Sequence, residues 1–126
     1  MRIWTLLAFL MASGSTLAYA QDPVEVAADH YSVMFENDEV RVLKIHYGPG
    51  ETAVMHSHPA GVAVFLSDAQ IHFTAPDGSA AHVTGTAGEA IWTPAGPHAV
   101  ENMGEALDAI LVELKDDAED DAEDDD

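Results

Sequence analysis

The sequence predicts an all-β domain built from about nine short antiparallel strands. Short runs rich in Val, Ile, Phe and Thr recur between turn signals, and no stretch of useful length repeats its apolar residues at helical spacing. The turns follow one another too closely for the crossover helices that parallel strands need. Short strands joined in this way form an antiparallel sandwich or barrel.

Five strands are expected in the first half of the domain. Asn37-Asp38 and Gly48-Pro49-Gly50 separate the first three, because these residues supply side-chain turn bonds, a positive φ or a fixed φ. Ser67-Asp68 ends the fourth strand for the same reason. The expected strands are Tyr31 to Glu36, Glu39 to Tyr47, Thr52 to Ser57, Val62 to Leu66 and Gln70 to Ala75.

Four further strands are expected in the second half. Pro76-Asp77-Gly78 forms the turn before the first of them, and Ala87-Gly88, Pro94-Ala95-Gly96-Pro97 and Gly104-Glu105 separate the others. The expected strands are Ala80 to Thr84, Ala90 to Thr93, His98 to Asn102 and Leu107 to Leu114.

The first twenty residues have the pattern of a secretory signal peptide. Arg2 precedes a mostly apolar run over residues 3–12 that is too short to span a bilayer, and Ala18-Tyr19-Ala20 matches the small-x-small site of signal peptidase. We therefore expect residues 1–20 to be removed by cleavage before Gln21, and the product to be periplasmic or secreted. The chain has no cysteine, so no disulfide supports the fold in that oxidising compartment.

Acidic residues dominate the remaining chain. Residues 116–126 are nine acids and two alanines, a composition that predicts a disordered, solvated tail and limits the folded domain to residues 21–115. Within 21–115, fourteen acids against three bases give a net charge of −11 with neutral histidines. Because a negative surface repels nucleic acid and anionic lipid, we expect no nucleic-acid partner and no membrane association.

Three histidines are the candidate metal ligands. His56 and His58 are two residues apart on an expected strand, so their side chains point to the same face. His98 begins a later strand, and three imidazoles on one side of a transition metal leave its other coordination positions open. The alternative is a metal-free barrel in which these imidazoles are ordinary hydrogen-bonded polar groups.

The residues around these histidines form two motifs. The first has Gly50 and then His56-Ser57-His58, and the second has Gly88, Pro94-Ala95-Gly96, His98 and Asn102. Both resemble the motifs of the cupin superfamily, and the resemblance covers nearly all of Val33 to Lys115.

The resemblance to cupins has implications for fold, cofactor and assembly. It implies a double-stranded β-helix, the cupin jelly-roll barrel, in which His56, His58 and His98 bind a divalent transition metal. Candidate metals are Fe, Mn, Ni and Zn. Single-domain cupins often pair through their sheets, so the resemblance also makes a homodimer an expectation.

The chain departs from the cupin pattern at two places. The motif glutamate that normally follows the second histidine is missing, because Val62 and Ala63 occupy its places, and only Pro97 separates Gly96 from His98 where the pattern has two residues. Three neutral imidazoles leave the metal its full charge and one more open position. The carboxylates considered as replacements are Glu51, Glu89 and Glu101.

Several side chains near the histidines are candidates for a substrate pocket. They are Trp92, Phe65 and Asn102, although aromatic residues at strand spacing also suit a core, and Asn102 could instead satisfy a strand edge. Surface or rim positions are expected for the other histidines, His30, His46, His72 and His82.

Three function classes are consistent with the sequence. The first is a metal-dependent enzyme acting on a small molecule. The resemblance to cupin-like dioxygenases with three-histidine iron sites favours an oxygenase, and the alternative is an isomerase or hydrolase that uses the metal as a Lewis acid. The second is a non-catalytic module that binds a metal or small ligand, and the third is a metal-free structural domain. The sequence contains no phosphate-binding glycine loop, Ser-His-Asp order or zinc-ribbon cysteine set that would support other chemistries.

Overall fold

The computed structural model describes residues 21–115. The signal peptide expected over residues 1–20 and the acidic tail expected over residues 116–126 lie outside the described residues. Within 21–115, no helix has both the length and the apolar character needed to cross a membrane. The elements are helix α1 (Pro23–Val26) and strands β1 (Tyr31–Glu36), β2 (Val40–Tyr47), β3 (Thr52–His58), β4 (Gly61–Phe65), β5 (Ala69–Thr74), β6 (Ala80–Gly85), β7 (Ala90–Thr93), β8 (Gly96–Asn102) and β9 (Leu107–Leu114).

The strands form two antiparallel sheets. One sheet has five strands in the order β1-β2-β9-β4-β7, and the other has four in the order β3-β8-β5-β6. The last strand, β9, lies between β2 and β4 and pairs with β2 along its whole length. The predicted all-β antiparallel architecture is confirmed, and the nine expected strands match the observed ones to within two residues at each end.

Alternating side chains place the core between the two sheets. On β9 every second residue from Leu107 to Leu111 is buried, and β2 buries Leu43 and Ile45. The four-stranded sheet contributes Ile71 and Val100 to the same cluster. Burial of each large aliphatic side chain stabilises the fold by about 1.5–3 kcal/mol.

Two local features set the geometry between the sheets. The pairing of β3 with β8 shifts register between Ala53 and His56, and both residues are buried although their odd spacing would put them on opposite faces of a regular strand. On β4, a Cβ at Gly61 would clash with the carbonyl oxygen of Val112, so only glycine permits β9 to approach this closely.

Candidate metal centre

The structure brings the three predicted histidines together. His56 and His58 point inward from β3, and His98 on β8 is the direct cross-strand partner of His56. One ligating nitrogen from each ring lies within 4.8 Å of the other two. The three rings are therefore close enough together to serve as ligands of one metal ion.

His56 has the protonation state and orientation that a metal ligand needs. Its Nδ1 lies 2.8 Å from the carbonyl oxygen of Val54 and donates to it. The Nε2 atom is buried and has no hydrogen-bond partner within residues 21–115. Burial lowers the pKa of His56 to about 4, so the ring is neutral at pH 7 and Nε2 carries a free lone pair. This buried acceptor without a donor fits a metal ion.

His58 is held by a buried carboxylate. Its Nδ1 donates to Oε2 of Glu113 over 2.8 Å, and only 3% of the Glu113 side chain is exposed. Hydrogen bonding at Nδ1 leaves Nε2 as the ligating nitrogen, the arrangement in which a carboxylate orients a metal-binding histidine.

Glu113 is in turn held by an ion pair that reaches the N-terminal helix. Arg41 donates from Nε to Oε1 of Glu113 over 2.9 Å, and its two terminal nitrogens donate to the Asp22 carboxylate over 3.1 and 2.9 Å. Burial opposes ionisation of Asp22, but hydrogen bonds from Arg41 and from the Val24 N–H outweigh it and hold the pKa of Asp22 below its usual range. A continuous hydrogen-bonded chain therefore runs from α1 to the ring of His58.

His98 completes the cluster despite its shortened motif. Gly96 adopts a positive φ of 139° as β8 begins, which keeps His98 in register with His56. Burial, reinforced by the neighbouring histidines, lowers the pKa of His98 to about 3. Its ring packs on Phe73 with centroids 4.6 Å apart. His98 is therefore also neutral at pH 7.

The structure shows which way the two residues at the missing glutamate position point. Ala63 is buried and lines the internal cavity, whereas Val62 lies on the opposite face of β4. A carboxylate facing the histidines from this part of β4 would therefore come from position 63, where the chain has only a methyl group.

None of the three replacement carboxylates belongs to the histidine cluster among the described residues. Glu51 accepts from the backbone N–H of Gly48, and Glu89 accepts from that of Thr86. Glu101 is exposed on β8. The carboxylate beside the cluster is Glu113, which accepts from Nδ1 of His58 and so is not itself a ligand candidate.

An internal cavity of about 330 Å³ adjoins the histidines. Two of the predicted pocket residues, Phe65 and Trp92, are among the residues that line it. The Trp92 side chain is mainly on the outer face of the sheet, because it is 58% exposed and is the cross-strand partner of Val62. The complete lining is Tyr31, Ile45, Tyr47, His58, Ala63, Phe65, Ile71, Phe73, Val83, Ile91, Trp92, Thr93, Pro94, His98, Val100, Leu107, Ala109 and Leu111.

Asn102, the third predicted pocket residue, is not part of this lining. Its amide nitrogen donates to the carbonyls of Tyr47, Gly48 and Glu105, and its side-chain oxygen accepts from the N–H of Gly104. Asn102 therefore ties together the turns after β2 and β8, and its polar atoms are already satisfied.

The other histidines lie away from the cluster. His46 and His82 are exposed, and His72 is half-buried as the cross-strand partner of His82. His30 does not have the surface position that was expected for it, because only 12% of its side chain is exposed. Its ring stacks on Tyr47 with centroids 4.1 Å apart.

Sequence reasoning missed Glu113, Tyr31 and Thr93 at this site. Glu113 had a signal, because it follows Leu107, Ala109 and Leu111 at even spacing and so faces the core. Tyr31 lies edge-on to His56 with ring centroids 5.0 Å apart. It had no comparable signal, since its position depends on how β1 packs.

Comparisons with known proteins support the fold. No protein-family model matches the chain, and no curated protein does. Among solved structures, a cupin domain from Bordetella pertussis Tohama I is similar with 24% identity and a TM-score of 0.62, over 68% of this chain and 91% of that one. A Klebsiella pneumoniae protein with a double-stranded β-helix domain is similar with 24% identity and a TM-score of 0.54, over 67% and 74%.

A larger protein contains the same fold. Oxalate decarboxylase from Bacillus subtilis is 19% identical with a TM-score of 0.52, over 68% of this chain and 24% of that one. The two sheets and these similarities confirm the fold that the histidine motifs implied. The chain therefore has the double-stranded β-helix fold of the cupin superfamily.

Proposed function

We propose that the chain binds a divalent transition metal through His56, His58 and His98 and presents it to a small molecule in the adjoining cavity. The observation that carries this proposal is the buried Nε2 of His56, which has no partner within residues 21–115 and lies among the other two rings. Leaving such an acceptor unpaired costs about 1–3 kcal/mol, a cost that metal coordination removes.

The donor set suits an open site better than a closed structural one. Three imidazoles leave coordination positions free, and a bound divalent metal supplies Lewis-acid or redox chemistry there. The candidates remain Fe, Mn, Ni and Zn, since imidazole binds all of them. Oxalate decarboxylase of Bacillus subtilis, which shares the fold, has Mn(II) centres, so Mn²⁺ belongs among the ions tested.

The metal-dependent enzyme we propose is oxygenase-like, and a binding module is the alternative. The cavity places a small molecule beside the histidines, which supports chemistry at the metal. Among residues 21–115, no carboxylate lines the cavity, and burial raises the pKa of the Tyr31 and Tyr47 hydroxyls, so neither tyrosine ionises at neutral pH. The alternative is a module that captures a metal or small ligand without turnover.

We also propose that the protein acts outside the cytoplasm. The signal-peptide pattern of residues 1–20 supports export. Mass spectrometry of the protein recovered from the periplasm should give a chain that begins at Gln21. A recovered chain that retains residues 1–20 would contradict export by this route.

Elemental analysis tests metal binding. Protein purified without added metal, and then reconstituted with Fe²⁺, Mn²⁺, Ni²⁺ or Zn²⁺, should hold about one ion per chain. The double variant His56→Ala, His58→Ala should hold none, whereas the matched control His46→Ala, His82→Ala should bind normally, because both control residues are exposed. Reconstituted wild-type protein without metal would overturn the proposal.

A further inference from the structure

The cavity is lined almost entirely by hydrocarbon. Its walls are aliphatic and aromatic side chains, with His58, His98, Thr93 and two tyrosines as the polar members, and no Lys, Arg, Asp or Glu of the described part of the chain lines it. A ligand that fills it must therefore be mainly apolar, because a buried charge without a partner is strongly destabilised.

The positive side chains of residues 21–115 are placed where they cannot bind an anion in the cavity. Arg41 is paired with Asp22 and Glu113, Lys115 is paired with Glu36, and Lys44 is exposed on β2. The chain also carries a formal net charge of −19, which disfavours entry of anions. Apart from a metal ion held by the histidines, an anion would therefore find no positive partner in the cavity.

Thr93 offers the cavity a free hydrogen-bonding group. Thr93 lines the cavity, and its Oγ1 is buried without a partner in the described part of the chain. The two tyrosines differ, because the hydroxyls of Tyr31 and Tyr47 bond to each other over 2.8 Å. A buried hydroxyl that no protein group satisfies is suited to a polar atom of a ligand.

Thr93 is also close to the metal centre along the sheet. It is the cross-strand partner of Gly61, and Gly61 is in turn the partner of Glu113, which bonds to His58. His58, His98 and Thr93 also line the same cavity, so one ligand can contact both the histidines and Thr93.

We propose that the ligand is a compact, mainly apolar molecule of one or two rings with a single hydroxyl or carbonyl head group, and that Thr93 selects it by hydrogen bonding to that head. A cavity of about 150 Å³ holds benzene, so the 330 Å³ found here accommodates one or two rings. This inference rests on the proposed function, because it places the head group beside the metal site.

Three matched probes test the chemical class of the ligand. Each probe has one aromatic ring. p-Cresol carries a hydroxyl, p-xylene has no polar group, and p-toluate carries a carboxylate. Their Kd values are measured by NMR titration of the metal-free full-length protein, with chemical-shift changes expected at the cavity residues. p-Cresol should bind at least about tenfold more tightly than p-toluate, because the carboxylate finds no cation in the cavity.

Substitutions at Thr93 test its role as a specificity residue. Thr93→Val removes the hydroxyl at equal size. It should weaken the binding of p-cresol about threefold to tenfold and leave the Kd of p-xylene unchanged, whereas Thr93→Ser should retain p-cresol binding. Thr84→Val, at an exposed threonine of β6, is the matched control and should behave as wild type. Circular dichroism melting curves establish that each variant is folded.

Two results would overturn this inference. One is p-toluate binding as tightly as p-cresol, and the other is equal p-cresol affinity in the folded Thr93→Val variant and the wild type. Failure of the proposed function has a different readout, since it appears as a lack of metal in elemental analysis, whereas these titrations use metal-free protein.

Discussion

Replacing Glu113 with glutamine should weaken metal binding without a change at any ligand. The carboxylate accepts from His58 at one oxygen and from Arg41 at the other. Glutamine keeps the shape but turns one oxygen into an NH₂ group. Because Arg41 can only donate, the remaining oxygen stays with Arg41 and the NH₂ faces Nδ1 of His58. His58 must then accept at Nδ1, so its proton moves to Nε2 and blocks the lone pair that binds the metal.

The size of this effect follows from the structure. The 2.8 Å contact between His58 and Glu113 is buried, so water does not replace it. Loss of such an outer partner lowers metal affinity about 10-fold to 100-fold, which is about 1.4–2.7 kcal/mol. The free energy of unfolding should fall by about 1–3 kcal/mol, because the contact of Arg41 with position 113 becomes neutral. The fall stays in this range because Arg41 keeps Asp22 as an ionic partner.

Competition between the protein and a chelator for Zn²⁺ at about pH 7.5, where His56 and His98 are neutral, measures the affinity. The matched control is Glu101→Gln, an exposed glutamate on β8 that should bind Zn²⁺ like the wild type. Equal Zn²⁺ affinities for Glu113→Gln and wild type, in proteins with the same circular dichroism spectrum, would refute the role assigned to Glu113.

Three further predictions concern the same region. Acid should destabilise the metal-free protein, because burial lowers the pKa of His56 to about 4 and of His98 to about 3; the unfolded chain therefore binds protons that the folded one excludes. Lowering the pH from about 7.5 to about 5.5 should reduce the free energy of unfolding by about 1.4 kcal/mol for each of these two histidines. Urea unfolding should show this as a lower midpoint, and a constant midpoint would contradict it. Ala63→Glu should raise Mn²⁺ affinity in titration calorimetry by adding an inward carboxylate, whereas Val62→Glu on the other face should not; equal effects would count against the assigned orientations. Gly61→Ala should lower the melting temperature by several degrees, because the added Cβ would clash with the backbone carbonyl of Val112 on β9, and an unchanged melting temperature would contradict this clash.

Local sequence pattern was enough to predict the strands and the direction of two histidines. Strand alternation has a period of two, so His56 and His58 share a face whatever their neighbours are. The turns carry glycine, proline and asparagine at the positions that need them, which is why the strand ends were predicted closely. The meeting of His98 with these two was implied by the cupin motifs, because spacing alone does not decide which strands pair.

The residues that tune the centre depend on contacts between distant strands. Glu113 contacts both His58 and Arg41, although they lie 55 and 72 positions away from it in the sequence. These contacts form because β9 lies between β2 and β4. The register shift in β3 similarly buries Ala53 along with His56, which a regular strand would place on opposite faces.

The sequence by itself determined an all-β domain with three candidate imidazole ligands and no motif glutamate. Only the tertiary structure decided that a buried carboxylate orients His58, that position 63 faces inward, and that Thr93 is left unpaired in an apolar cavity. The physical reason is that periodicity specifies which face of a strand a side chain occupies. Which strands become neighbours is set by the packing of the whole domain.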